Sequence, residues 1–268
     1  MNSVLLTKEL TREMKGFVIG SSIVSGYLLL TMIIYSSMAF SMDQITAMWS
    51  TLPEDFMKAL NYDPKQWESV LGFYSTYFVF YIPVISGGFS VVWGLKMLAK
   101  EEYQKTAEFL MTRPISRNSI LSSKLVALVS YITAINLVGY VTALITCTIF
   151  GKTGFDVGSL TILHLYGLTV CLFLGMLGLF ISVWMRRGKP GAGIGIGIVL
   201  GYYLLDMLLK IYGKADFLLY LTPFHYINLD VTLPGYRLEA WRILIPLAAS
   251  ILMVIVVYGR FRRKDIYT

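Results

Sequence analysis

The sequence predicts an all-α integral membrane protein with six transmembrane helices, and three observations carry that prediction. Of its 268 residues 56% are hydrophobic and 15% charged, with a mean hydropathy of +0.65, whereas an average soluble domain is about 25% charged. The apolar residues gather into six runs, 17–40, 73–95, 125–150, 160–185, 193–211 and 241–258, each near the roughly 20 residues a helix needs to cross a hydrocarbon core of about 30 Å. Basic residues, finally, are divided unevenly between alternate connections. Lys8, Arg12 and Lys15, the six from Lys96 to Lys124, Arg186, Arg187 and Lys189, and the four from Arg260 to Lys264 make sixteen of the 23 lysines and arginines. By the positive-inside rule these connections and both termini are cytoplasmic. The net charge of +7 is then a topology signal rather than the footprint of a nucleic-acid binder.

The elements follow in order. Residues 1–16 include "VLLTKELTREMKG", in which Leu6, Leu10 and Met14 recur at i, i+4 and i+8 with Lys8, Arg12 and Lys15 off the stripe. Such a helix lies in the interface plane as an elbow before the first span. The first apolar run follows some fifteen residues of mixed charge and is too long for a signal peptide core, so it is expected to stay as a span. Cys147 and Cys171 fall within predicted spans and read as buried packing residues rather than as a disulfide. Between the fifth and sixth runs, "LLYLTPFHYINLDVTLPGYRLEAW" is apolar and twice broken by proline. The tail "YGRFRRKDI" suits an anchor to anionic lipid headgroups.

The connection 96–124 is the densest polar stretch. In "EEYQKTAEFLMTRPISR", Glu101 and Lys105 are an acid-before-base i,i+4 pair, Pro114 disfavours helical geometry at Arg113, and Ser116 is placed to cap the helix entering the third span. The expected form is a bent, charged elbow carried by the second and third spans.

"EEYQKTAEFLMTRPISRNSILSSK" resembles the E-x-x-G-T-x-E-x-L-L-x-x-P-I-S-R-x-x-I-x-x-x-K stretch of ABC transporter permeases of the type 2 exporter class. Glu102, Thr106, Glu108, Leu110, Pro114, Ile115, Ser116, Arg117, Ile120 and Lys124 occupy that pattern, with Lys105 where the family has glycine. The resemblance implies that Glu101 to Arg117, with Glu101, Glu102, Lys105, Thr106, Glu108, Arg113, Pro114, Ile115, Ser116 and Arg117 as contact residues, is a coupling helix that docks on an ABC ATPase subunit. It also implies a second permease subunit, identical or paralogous, membrane lipids as further partners, and a place in the plasma membrane. The outer segment resembles the family's re-entrant helices.

Enzymatic readings fail on spacing. "FGKTG" has the end of a phosphate-binding loop, but Thr146 stands where its first glycine belongs. "EEYQKT" places Thr106 where intramembrane CAAX proteases need arginine, and the chain has two histidines, His164 and His225, neither in a zinc-binding context. His164 reads as an interfacial side chain at the mouth of the fourth span, and His225 as part of the outer segment. No catalytic residue, metal or directly bound cofactor is expected; ATP and Mg belong to the partner ATPase. In "GKPGAGIGIGIVLG" the dinucleotide spacing is absent, but Gly193, Gly197 and Gly201 form small-x-x-x-small steps suited to close helix packing, and Pro190 suits a first helical turn. Asp206, with Lys210 one turn on, is the clearest charge within a span; these two and His225 are candidates for a transport path.

The expected function is thus that of a permease subunit of an ATP-driven exporter, its cargo an amphipathic or lipid-like molecule, a peptide, a glycan or an ion. Two alternatives stay open: an ATPase-coupled sensor or immunity protein, and a stand-alone secondary transporter or channel. The last predicts several buried ionisable residues on a path and inverted repeats, and the sequence presents neither.

Overall fold

The structure, a computed structural model, describes residues 3–38, 64–103, 115–151, 154–185, 191–213 and 216–263, with Pro53 and Met57 besides. Among these residues it is helical without strands, and six helices are long and apolar enough to cross a bilayer. An N-terminal helix, Ser3–Arg12, meets the first span, Met14–Met38, at a break on Glu13. The second span joins Val70–Phe80, a wide π turn Tyr81–Gly87 and Gly88–Tyr103. The third is Arg117–Phe150, the fourth Val157–Trp184, the fifth Ala192–Tyr212 and the sixth Ala240–Arg263.

Local chemistry sets these limits. Ser69 Oγ accepts from the Gly72 amide at 3.0 Å and opens the second span. Pro83 lacks an N–H and cannot complete the ordinary i→i−4 ladder; the π turn around it absorbs the fault. Ser116 accepts from the Ser119 amide at 3.2 Å and starts the third helix at Arg117, eight residues before its apolar run. The Asp156 carboxylate bonds the amides of Gly158 and Ser159 at 3.1 and 2.9 Å and starts the fourth. Gly213, at φ 61, closes the fifth in a left-handed cap.

The fourth span is the centre of the bundle, packed on the second, third and sixth, while the first lies along the third and the fifth along the second. Glycines bring the second and fourth spans together. A Cβ at Gly94 would overlap the carbonyl oxygen of Gly175 and stand 2.7 Å from the Leu179 amide nitrogen, and one at Gly178 would overlap the carbonyl of Val91. With no hydrophobic force between helices in lipid, such close backbone contact supplies the dispersion energy that holds them.

The N-terminal helix turns a different face inward from the one its apolar stripe suggests. Leu5 and Glu9 are buried, Leu6 and Leu10 are half-buried, and Met14 is exposed. Glu9 goes inward because cations wait for it there. The connection from the fifth to the sixth span holds a short helix, Asp216–Leu219, and a 3-10 turn, Pro223–Tyr226, whose Pro223, Phe224 and Tyr226 are buried.

Candidate functional site

At the end of the bundle that carries the N-terminal helix, the second and third spans meet in a network of ion pairs. Lys124, two turns into the third helix, is 0% exposed. Its Nζ lies 2.7 Å from Glu101 Oε1 and 3.0 Å from Glu9 Oε1. Arg12 Nη1 stands 3.3 Å from the same Glu9 oxygen and 3.7 Å from Glu101 Oε1. Glu13 continues the network to the second span, with Lys100 at 3.2 Å and Lys96 at 3.7 Å. The Tyr131 hydroxyl donates to the Leu10 carbonyl, and its ring, with Trp93 and Phe17, forms the apolar floor. A lysine this deep is tolerable because two carboxylates replace the water it loses; a lone buried ammonium would cost several kcal/mol.

This geometry fixes both flanks of the charged connection. At its start, Glu101 is tied to Lys124 and Arg12. At its end, Ile115 is half-buried against the core, Ser116 caps the third helix, and Arg117 Nη1 donates to the carbonyls of Phe261 and Arg262 at 3.3 and 3.0 Å. Arg262 Nε returns a bond to Asn118 Oδ1 at 2.8 Å. Glu102 continues the second helix. Lys105, Thr106, Glu108, Arg113 and Pro114 lie outside the described residues.

Sequence reasoning placed Lys124 in a motif without giving it a partner, and passed over Glu9, Glu13, Lys96 and Lys100. The available signal was Glu9 and Glu13, two acids one turn apart on an otherwise basic N-terminal helix. Chemically the arrangement is a rigid mount, able to carry a displacement of the connection into three helices at once.

The other singled-out residues lie elsewhere. Gly195 abuts Val92 of the second span, whereas Gly193, Gly197 and Gly201 have nothing within 4 Å of a Cβ placed on them. A groove of ≈ 370 Å³ runs beside them between the first, second and fifth spans, past Ile23, Ile85, Phe89, Trp93 and Ile196 to Lys96. Near the opposite end of the fifth span, Asp206 pairs with Lys210 at 2.6 Å and accepts from Thr222 Oγ1 at 2.7 Å, which clasps the span to the connection that follows. His225 packs its ring on Tyr220, with centroids 4.7 Å apart, and its carbonyl accepts from Arg242 at 2.8 Å. His164 is buried among Tyr74, Phe78, Tyr81 and Tyr140 rather than interfacial, because the N-terminal half of the second span packs over it. Among the described residues no group of three or more histidine, cysteine or acidic side chains is arranged to hold a metal ion.

Six apolar helices of this length, with charges gathered at their ends, define a multi-pass membrane protein. Residues 11–266 match the family model described as ABC-2 family transporter protein, and the chain belongs to that family of membrane permeases. The family is the membrane component of its transporters, generally lacks an ATPase site of its own and normally partners with an ABC ATPase. A search of curated proteins found no match.

Proposed function

We propose that the chain is the membrane-spanning subunit of an ATP-driven exporter in the plasma membrane, that it works as a pair of permease subunits, and that separate ATPase subunits binding ATP and Mg engage Glu101 to Arg117. The observation that carries this reading is the mount beneath that segment. Glu101 at one flank and Arg117 at the other are tied to the N-terminal helix and to the third and sixth spans, so a push on the segment moves the bundle rather than bending a loose loop. The uneven division of basic residues supports a cytoplasmic position for this end and for both termini.

Other details fit the same reading. The N-terminal helix breaks from the first span at Glu13, as an interfacial elbow would. The Glu239 amide donates to the Tyr166 hydroxyl at 2.7 Å, nine residues inside the fourth helix or about 14 Å along it at 1.5 Å per residue, which supports a re-entrant course for the outer segment. The open stripe of Gly193, Gly197 and Gly201 beside the apolar groove favours close approach of the second subunit there, with the groove serving an amphipathic cargo.

The test is a mild-detergent pull-down of the tagged chain from its native membrane, with mass spectrometry of what co-purifies. A soluble P-loop ATPase should appear, and should be lost when Arg113 to Arg117 is replaced by a Gly/Ser linker. A chain that purifies alone, and moves solutes in vesicles without ATP, would overturn the reading.

A further inference from the structure

The groove between the first, second and fifth spans has apolar walls and a polar head. Ile23, Val84, Ile85, Phe89, Val92 and Ile196 form the walls. From Val84 to Lys96 its lining covers about 18 Å of the second span at 1.5 Å per residue. That is close to one leaflet's share, about 15 Å, of a hydrocarbon core of about 30 Å. The groove is therefore as deep as a single layer of acyl chains, and its head lies at the end that carries the charged mount.

Gly16, Trp93 and Lys96 meet at that head. Trp93 is 1% exposed, and among the described residues its Nε1–H finds no acceptor. A Cβ placed on Gly16 would stand 3.5 Å from that nitrogen, so the donor sits where the groove ends, with a bare glycine beside it. A buried indole N–H ordinarily has a partner, and one without an acceptor is costly to keep. Lys96 follows one turn along the same helix. Its Nζ is 3.7 Å from Glu13 Oε2, beyond hydrogen-bond distance, and the side chain is 34% exposed, so it is the loosest member of the mount and has protons to give. Glu13 stands near the same end, but its other oxygen is held by Lys100 at 3.2 Å. Lys15, exposed next to Gly16, adds a further positive charge.

We propose that this groove holds one anionic phospholipid from the leaflet on the mount's side. One acyl chain runs along the apolar walls, an ester carbonyl accepts from Trp93 Nε1–H, and the phosphate takes Lys96. Phosphate and ester are joined through a glycerol unit, which suits two donors one helical turn apart. The proposal rests on the reading of the groove as a place for an amphipathic molecule and names the class of that molecule.

The experiment uses the full chain purified in detergent, without an ATPase, and titrates it by native mass spectrometry with phosphatidylglycerol against phosphatidylcholine of the same acyl chains. Phosphatidylglycerol should fill one site per chain and bind about tenfold more tightly, since a choline cation would be repelled by Lys96 and Lys100. Trp93→Phe keeps the ring and removes the N–H, and should weaken phosphatidylglycerol about fivefold; Lys96→Gln should weaken it about tenfold, as expected for a neutral and a charged hydrogen bond. Ile196 is 47% exposed on the fifth span, so Ile196→Trp fills the groove from its rim with every charge in place. It should abolish the single-site binding even if Lys96→Gln loosens the mount. Phosphatidylglycerol binding that survives Ile196→Trp, or that is lost when two subunits pair, would overturn the proposal, the second case giving the groove to the partner subunit. Two lipids bound equally and both lost in Ile196→Trp would overturn the headgroup assignment while leaving the groove a site for amphipathic molecules; neither lipid bound would remove both. With no ATPase present, none of these outcomes bears on the coupling role of Glu101 to Arg117.

Discussion

Without the Lys124 ammonium, Glu9 and Glu101 would face each other across a space with little water. Breaking a buried pair by removing one partner costs about 3–5 kcal/mol, so Lys124→Met should lower the melting temperature in detergent strongly, and Glu9→Gln in the same chain should restore part of the loss. Melting unchanged in the single variant would mean that water reaches the network. Glycines divide in the same way. Gly94→Ala and Gly178→Ala press a methyl into a facing backbone and should cost about 1–3 kcal/mol, while Gly197→Ala meets open space and should leave the melting of the monomer unchanged. Residues of this kind were the least legible in the sequence. A glycine stripe is visible as spacing, but whether it faces a neighbouring span depends on rotation about the helix axis, and the same composition yields an occupied ridge at Gly94, Gly175 and Gly178 and an open one at Gly193, Gly197 and Gly201.

The helices themselves were legible because a span needs only length and apolarity, and both can be read along the chain. Most of their ends were less so. The start of the third helix is the exception: it begins at Arg117, ahead of the first apolar residue, because Ser116 supplies the cap expected of it. The π turn in the second span was not expected, since Pro83 can be absorbed by a kink as well as by a widened turn. The fourth helix depends on Asp156. Hydrogen bonds from the Ser159 hydroxyl and from the Ser159 and Gly158 amides hold this exposed carboxyl below its ordinary value of 3.8. Its folded value is depressed, so its contribution is complete above 3.8 and is lost as the pH falls through the lower folded value. Asp156→Ala should reproduce that loss at neutral pH, and hydrogen exchange at Val157 to Leu160 should then accelerate without a change in the rest of the span.

At the scale of the whole molecule, the bare glycine stripe and the mount make separate claims. Gly197→Leu should reduce the fraction of paired subunits seen by native mass spectrometry while each subunit melts as wild type; pairing that persists would move the contact to another face. The charged connection was legible as a motif, whereas the mount was not, because its members are brought together from three distant stretches of chain. Glu9 and Lys124 are 115 positions apart. That separation bears on biosynthesis. Until the third span has been made and inserted, the Glu9 carboxylate has no buried ammonium to meet and remains in water, so the N-terminal helix cannot take its seat while the first two spans are emerging. Ribosome-bound chains that end before Lys124 should leave the N-terminal helix open to protease, and chains that have inserted the whole third span should protect it. Closure of the bundle at that end is therefore timed by the arrival of one lysine.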